Sequence, residues 1–482
     1  MTPPIIALLS VCSAVAVLLL VLVVRAIAYK PKETYTPAQS PVIVDADRAT
    51  ETLSQMIKCK TVSDRNKDNE DEAEFVKFKE LLPKLFPKVY EKCTVEEIKD
   101  RAILIKWEGK SHSSPTVLMS HYDVVSVVEE NWEKPAFEGI VESGVLWGRG
   151  AIDTKGTLNG ILTAAEMLIS EGFVPNEDIY FAFGGDEEIN GHGAKDIVDL
   201  FVERGINPSL VVDEGGGVVR DVFPGVKEPC ALIGIAEKGM VNIEYSVSGG
   251  GGHASSPTPP TPVGRLSRAC VKMEKSFFKF RLTEPARKMI DTLGRHSSFA
   301  LKIVFANLWL FSPLINLIAK MSGGEFNALM RTTVAFTQME GSLGINVIPP
   351  TAKMASNQRI IPGETVESVR AEIEKRVKKY GVSVKAIEGM NPSNISSTEC
   401  EGWERISKAT KDTWQDSIVS PYLMVACSDA RHWSAISDRV YRFSAMALSK
   451  EERGTVHGNN ERLPKETVAK IAEFYLRLMR MS

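Results

Sequence analysis

The chain has 482 residues, more than one ordinary core, so at least two domains are expected. Its composition, 44% hydrophobic and 25% charged, is average for a soluble globular protein. A net charge of −3 gives no sign of a nucleic-acid surface, and no nucleic-acid partner is expected.

Residues Ile5 to Val24 form an apolar run broken only by Cys12 and two serines. Twenty helical residues rise roughly 30 Å, the hydrocarbon thickness of a bilayer. The rival reading is a cleaved signal peptide, with Ala26-Ile-Ala28 as its cleavage site. The run is longer than a signal's apolar region and the Met-Thr-Pro-Pro start lacks basic residues, so a membrane anchor is the expectation. Lys30 to Pro41 reads as a linker. Seven scattered cysteines without a C-x-x-C form no disulfide framework.

Helical spacing covers Ala46 to Ile57, and the polar run Ser63 to Asp71 after it reads as a solvated loop. An amphipathic helix is expected over Glu72 to Leu82, stopped by Pro83. Strands are expected at Ala102 to Trp107 and Thr116 to Met119, and a helix at Thr154 to Ile169. Between them acids and one histidine recur at the ends of apolar runs. Leu118-Met-Ser leads to His121 and Asp123. Asp153 follows Gly148-Arg-Gly-Ala-Ile, Ile179 to Phe183 leads to Glu187-Glu188, and Leu210-Val-Val leads to Asp213. Short apolar runs ending in glycine or an acid read as buried parallel strands, whose C-terminal edge collects ligands. Imidazole together with carboxylate suits zinc and its neighbours. With His457 added, three acids and two histidines exceed one tetrahedral ion and suit two ions sharing a carboxylate. Glu187 is then a spare carboxylate beside a ligand, as a water-activating base would be. Lys155 and Arg149 read as surface or loop-orienting residues.

The pattern changes at Gly239. Met240 to Val247 alternates as an antiparallel strand does, and so, more weakly, does Thr351 to Gln358. A charged helix over Thr365 to Tyr380 and an alternating Val382 to Ile387 complete an inserted α+β unit. Gly249 to Gly252 lacks the P-loop signature and reads as a turn presenting His253. The apolar stretch Ile303 to Ala319 is open to three readings: core of this unit, a wall for an acyl chain, or a membrane contact.

At these residues the chain resembles the co-catalytic zinc exopeptidases that include carboxypeptidase S, aminoacylase and glutamate carboxypeptidase. The resemblance is closest to the branch of carboxypeptidase S and the N-fatty-acyl-amino acid synthase/hydrolase. It runs from about residue 45 to the end and rests on S-H-Y-D-V-V, W-G-R-G-A-I-D-T-K-G, G-D-E-E, V-D-E-G-G, G-G-H-A-S-S-P, N-V-I-P-P and V-H-G-N-N-E. It implies an α/β catalytic domain with a mixed, mainly parallel sheet and an inserted ferredoxin-like lid. The division is an anchor at 1–29, a linker at 30–44, catalytic segments at 45–238 and 396–482, and the lid at 239–395. It assigns His121 and Asp213 to one metal, Glu188 and His457 to the other, and Asp153 as bridge. The ions would be two Zn2+ per subunit, with Co2+ or Mn2+ as substitutes. It makes Glu187 the general base, Asp123 the acid that fixes the His121 ring, and His253 the group that steadies the oxyanion, in some relatives from the other subunit of a dimer formed through the lid. Asn346 and Arg359 match positions that hold the substrate's free carboxylate, a task suited to a planar guanidinium.

These parts imply a carboxypeptidase or N-acyl-amino acid amidohydrolase acting on a small molecule or short peptide with a free carboxylate. A lipidated amino acid is the alternative substrate. An inactive binding protein on this fold would be expected to have lost a ligand or the base, and a two-metal phosphatase would not need Arg359 and Asn346. The basic residues after the apolar run, Arg25, Lys30 and Lys32, point the enzyme to the cytoplasmic side. The resemblance to secreted and vacuolar enzymes points to the lumenal or extracellular side, which is the orientation expected here. The sequon at Asn394 would be usable only there.

Overall fold

The computed structural model describes residues 2–32, 35–37, 40–99, 101–275 and 278–482. Residues 33, 34, 38 and 39 of the expected linker, and 276–277 before the apolar insert, lie outside the described residues.

The apolar runs become the centre of a nine-stranded sheet. Ser111–His121 lies between Glu177–Gly184 and Leu210–Asp213, and all three are parallel. Val440–Arg442 continues the parallel set beside Leu210–Asp213. Cys230–Glu237 then pairs antiparallel with it and parallel with Ile418–Met424. Ala102–Trp107 and Thr94–Ile98 close the other edge antiparallel. The sheet is therefore mixed with a parallel centre, as expected.

Both faces of the sheet are covered, which is why its central strands are apolar without alternation. Lys155–Ser170, Lys465–Met479 and Ala46–Ile57 cover one face, where Leu158, Ile161, Phe181, Ile471 and Phe474 are buried together. A Cβ on Gly160 would lie 2.3 Å from Ile471 Cγ2, so glycine sets how closely the first two helices approach. Gly193–Glu203 covers the other face with Ile197 and Phe201 against Val117 and Trp433. Fully burying one such aliphatic or aromatic side chain contributes about 1.5–3 kcal/mol, so the parallel centre is a rigid base for its C-terminal edge. In register His121 lies opposite Gly184, and Leu118 opposite Val212, one residue before Asp213. Residues from three separate stretches thus leave the sheet at one edge.

The alternating segments form a second sheet, antiparallel throughout, in the order Thr333–Glu340, Thr351–Ile360, Gly239–Ser248, Ser383–Met390. Pro262–Glu274 and Val366–Val377 pack on one face around Val241, Ile243, Tyr245, Leu266 and Ile373. A short ribbon, Gly252–His253 with Val347–Ile348, accompanies this sheet.

Two expectations are corrected. The helix that begins at Glu72 runs to Leu85, with Pro83 inside its last turn. The stretch Ile303 to Ala319 is not core of the second sheet. It lies in the helices Phe299–Phe305 and Leu308–Ser322 and the break between them, and Phe305, Ala306 and Ala319 join Leu232, Tyr422 and Met424 of the large sheet. Its low charge let it bury against either sheet, and no periodicity distinguishes the two.

Candidate metal centre and active site

His121 ends its strand fully enclosed. Its Nδ1 faces Asp123, 3.0 Å from the backbone oxygen and 3.3 Å from Oδ1. An Nδ1 proton donated there leaves Nε2 as the ligand atom. That Nε2 lies 3.1 Å from Asp153 Oδ1 and 3.7 Å from Glu214 Oε1. On the far side His457 Nε2 is 3.0 Å from Asp153 Oδ2 and 3.0 Å from Glu188 Oε2. Asp153 therefore turns one oxygen to each imidazole, the arrangement a bridging carboxylate needs. Bonds of 2.0–2.2 Å in a tetrahedral shell put neighbouring ligand atoms about 3.3 Å apart, close to the spacings here.

Two groups of potential ligands share His121. One is His121, Asp153 and Glu188, the other His121, Glu187 and Glu214; in each the ligand atoms lie within 4.8 Å of one another. Among the described residues the buried Oε1 of Glu188 has no hydrogen-bond partner. A buried carboxylate oxygen without a donor is costly and points to a cation. The residues present therefore fit a divalent metal.

The electrostatics agree. Burial, then the charges of Glu214, Asp429 and Glu188, pushes the Glu187 carboxyl well above the usual carboxylate range, against the pull of His121. Burial and the Asp153 charge raise Glu214 to about 8, against His121. Burial raises Asp429 to about 7, with Arg431 opposing and Asp213 adding. Buried acids that destabilise one another's charge in this way mark a site that needs positive charge supplied from outside.

Asp123 does more than hold the His121 ring. Its Oδ1 accepts from the Glu187 N–H at 3.2 Å, and its Oδ2 from the Glu188 N–H at 3.1 Å. Ser63 donates to the same Oδ2 at 2.7 Å, and is buried. The run Ser63 to Asp71 is thus not wholly a solvated loop. Its first residue is bound to the site, which one serine in a polar stretch gives no means of seeing.

Glu461 closes the motif V-H-G-N-N-E, which gives it no role of its own because its partners lie in a distant loop. It is fully buried, and its carboxylate accepts from Arg149 Nη1 at 2.7 Å and from the N–H groups of Gly150, Ile152 and Asp153 at 3.0, 2.7 and 3.1 Å. A small sheet, Arg462–Pro464 on Val145–Trp147, joins the same two loops. The loop that carries Asp153 is therefore tied to the loop that carries His457. His457 itself holds a left-handed backbone with φ 56°, a conformation costing roughly 1–2 kcal/mol outside glycine. Arg149 Nη2 bonds the next carbonyl, Gly458, at 2.7 Å and helps to fix it. Lys155 is also buried, with Nζ on the carbonyls of Met56 and Cys59, and burial lowers it to about 8. Both cations orient loops, and neither lies on the surface.

A cavity of about 490 Å³ opens over this cluster, with Asp153, Glu187, Glu188, Glu214, Arg359 and His457 in its wall. Arg359 extends from the second sheet; its Nη1 is 3.2 Å from Cys427 Sγ and its Nε 3.1 Å from Asn357 Oδ1. A second cavity of about 980 Å³ shares Val222, Leu232, Tyr422 and Leu448 with the first and adds Met289, Phe326 and Leu329. Asp213 is buried behind the cluster, with Oδ2 on the Ala430 N–H at 2.8 Å, so its neighbour Glu214 stands nearer His121. His253 and Asn346 are together, the Ala254 N–H donating to the Asn346 carbonyl at 2.9 Å. Both are exposed, and neither is in the wall of the cavity within one chain.

Fold and site define a metallo-hydrolase with its centre at the edge of an α/β sheet. The sequence profile of peptidase family M20/M25/M40 matches residues 117–481, and the chain belongs to that family. It is 33% identical to the N-fatty-acyl-amino acid synthase/hydrolase PM20D1 of Xenopus tropicalis, over 90% of this chain and 85% of that one. It is 32% identical to the probable carboxypeptidase S-like 2 of Dictyostelium discoideum, over 96% and 92%. The fold matches an M20 family metallo-carboxypeptidase from Sulfolobus solfataricus with a TM-score of 0.68 at 17% identity, over 91% of this chain and 99% of that one.

Proposed function

We propose that the chain is a two-zinc enzyme that hydrolyses an amide bond next to a free carboxylate. The observation that carries this reading is one cavity whose wall holds Asp153, Glu187, Glu188 and His457 together with Arg359. His121, Asp153, Glu188 and His457 would hold the ions, with Asp153 between them. The remaining place falls to the Asp213–Glu214 pair, Asp213 by resemblance and Glu214 by proximity. Metal content of Asp213→Asn against Glu214→Gln decides between them. Bound divalent ions would polarise the scissile carbonyl and acidify the attacking water. Glu187 takes the proton and returns it to the leaving amine. Asp123 keeps the His121 ring and the Glu187–Glu188 turn in one orientation, and Arg359 grips the carboxylate.

His253 and Asn346 would enter from a partner subunit. Exposed Leu343, Ile345 and Val347 beside Asn346, and the free edge strand Thr333–Glu340, support a homodimer formed through the lid. The functional units would be the lid at 239–395 and catalytic segments at 45–238 and 396–482. The N-terminal helix, Pro3–Ala28, is apolar enough to cross a membrane, with mean hydropathy 3.0 over its best window. We read it as an anchor that holds the enzyme on the lumenal or extracellular side.

A second reading, N-fatty-acyl amino acids as substrates, is favoured by the larger cavity that shares a wall with the site. Its Met289, Phe326, Leu329 and Tyr422 would suit an acyl chain. The test is a panel of blocked dipeptides and N-acyl amino acids of rising chain length, each as acid and as amide, on zinc-loaded protein. Turnover of amides as fast as acids would refute carboxylate selection. Loss of turnover with acyl chains beyond acetyl would refute the lipid reading.

A further inference from the structure

The N-terminal helix does not leave the protein freely. Its last turns dock on the apolar insert. Arg25 Nε and Nη2 donate to the Ala306 carbonyl at 3.1 and 2.9 Å, and Asn307 Nδ2 donates to the Leu22 carbonyl at 3.2 Å. Tyr29 donates to the carbonyls of Ile290 and Asp291, both at 3.0 Å, while the Arg295 guanidinium lies 4.5 Å from its ring. Of the helix itself only Leu22 and Ala26 are buried. Arg25 is the first charge after the apolar run, so in a spanning helix it marks the level where lipid gives way to water. Ala306, to which it is bonded, must lie at that level too.

Ala306 and Asn307 are the break between Phe299–Phe305 and Leu308–Ser322, which meet at 103°. The second helix buries Ile315 and Ala319 against the protein and turns the rest outward. Trp309, Leu314, Leu317 and Met321 are 59, 43, 53 and 79% exposed, with Leu310 and Ile318 beside them. Within Leu308–Ser322 the one charged residue is Lys320, near the C-terminal end. An apolar surface of this kind, joined by hydrogen bonds to the end of an apolar 26-residue helix, has a specific physical partner.

We propose that Leu308–Ser322 lies in the surface of a phospholipid bilayer beside the N-terminal helix, as a second, monotopic membrane element. The inference rests on reading Pro3–Ala28 as a span. It adds an orientation: the enzyme sits on the membrane by one fixed face. After one further turn at Gly323 the chain supplies Glu325, Phe326 and Leu329 to the wall of the larger cavity. The lipid-facing helix and the antechamber of the site are thus adjacent, so an amphiphilic substrate would pass between them without crossing bulk water.

The test uses the full chain in phosphatidylcholine vesicles. Trp309 is one of seven tryptophans, so its signal is taken as the difference between wild type and Trp309→Phe. Lipids brominated on the upper acyl chain should quench that difference signal, and aqueous acrylamide should not. Leu314→Glu/Leu317→Glu should abolish the lipid quenching. It should also lower turnover of a vesicle-borne N-acyl amino acid by about ten-fold, since two anchoring side chains are lost, while hydrolysis of a soluble N-acetyl amino acid is unchanged. Quenching by acrylamide alone would overturn the proposal, since the face would be in water. Quenching by neither would also overturn it, because a protein surface would cover the face. Release of wild type from vesicles by alkaline carbonate would show that the spanning reading failed, and the proposal would fall with it. Retention of wild type with an unquenched Trp309 would overturn the proposal and leave the anchor standing.

Discussion

Glu461→Gln is a substitution of almost unchanged shape whose consequence follows from the geometry. The carboxylate accepts four donors, from Arg149 and from three consecutive-loop N–H groups at Gly150, Ile152 and Asp153. An amide has one accepting oxygen, so its NH2 must face at least one of these donors. Arg149 also loses its anionic partner, and both side chains are buried. Removing one member of a buried ion pair costs about 3–5 kcal/mol, because the other charge stays buried. The loss falls between the loops of Asp153 and His457. The variant should therefore unfold at lower denaturant by roughly that free energy, and it should bind metal more weakly, since disturbing what orients a ligand typically costs 10–100-fold in affinity. Chemical denaturation gives the first quantity, and titration with zinc against a competing chelator gives the second. A variant that is destabilised yet binds zinc like wild type would refute the tie between the two ligand loops. A variant equal to wild type in both would refute the buried ion pair itself.

Glu187→Gln should keep its metal and lose turnover by roughly 10²–10⁴-fold, the usual worth of acid–base catalysis; loss of metal instead would show that Glu187 and Glu188 had exchanged roles. Arg359→Ala should lower kcat/KM for a free acid by about ten- to a few hundred-fold, the worth of a charge-assisted contact of roughly 1.5–3 kcal/mol, and should cost the corresponding amide little. A parallel fall on both would remove Arg359 from substrate binding. Lys238 is buried with Nζ on the carbonyls of Ala328 and Arg331, and burial, with the nearby Arg359 charge, lowers it to about 7 against Glu364 and Cys427. Unfolding then takes up a proton between pH of about 7 and about 10.4, so this lysine makes stability rise with pH across that window. Wild type should gain stability relative to Lys238→Met as pH rises from about 7 to about 10; an unchanged difference would show that Lys238 titrates normally.

What was legible in the sequence follows from what each feature has to do locally. The central strands of the large sheet are buried on both faces, so their cores had to be apolar, and their ends had to carry the groups that use the edge. His121 and Glu187–Glu188 stand out at strand ends for that reason and do come together at the edge, whereas Asp213, read in the same way, is held by the Ala430 N–H and its neighbour Glu214 faces His121. The strand Gly239–Ser248 of the second sheet has one buried face, and its alternation records it. Contacts between distant loops leave no such record. Ser63 on Asp123, and Glu461 on the Asp153 loop, are single residues whose meaning lies in partners about 60 and about 310 positions away. The apolar insert is the intermediate case. Its hydropathy was plain, but burial in the lid, burial under the large sheet and contact with lipid all ask for the same residues. The helix Leu308–Ser322 buries Ile315 and Ala319 against the protein and turns the equally apolar Leu314, Leu317 and Met321 outward. Composition cannot separate the two faces because both are apolar. The hydrogen bonds from Arg25 and Asn307 tie the break before this helix to the end of the N-terminal helix, and they join residues about 280 positions apart.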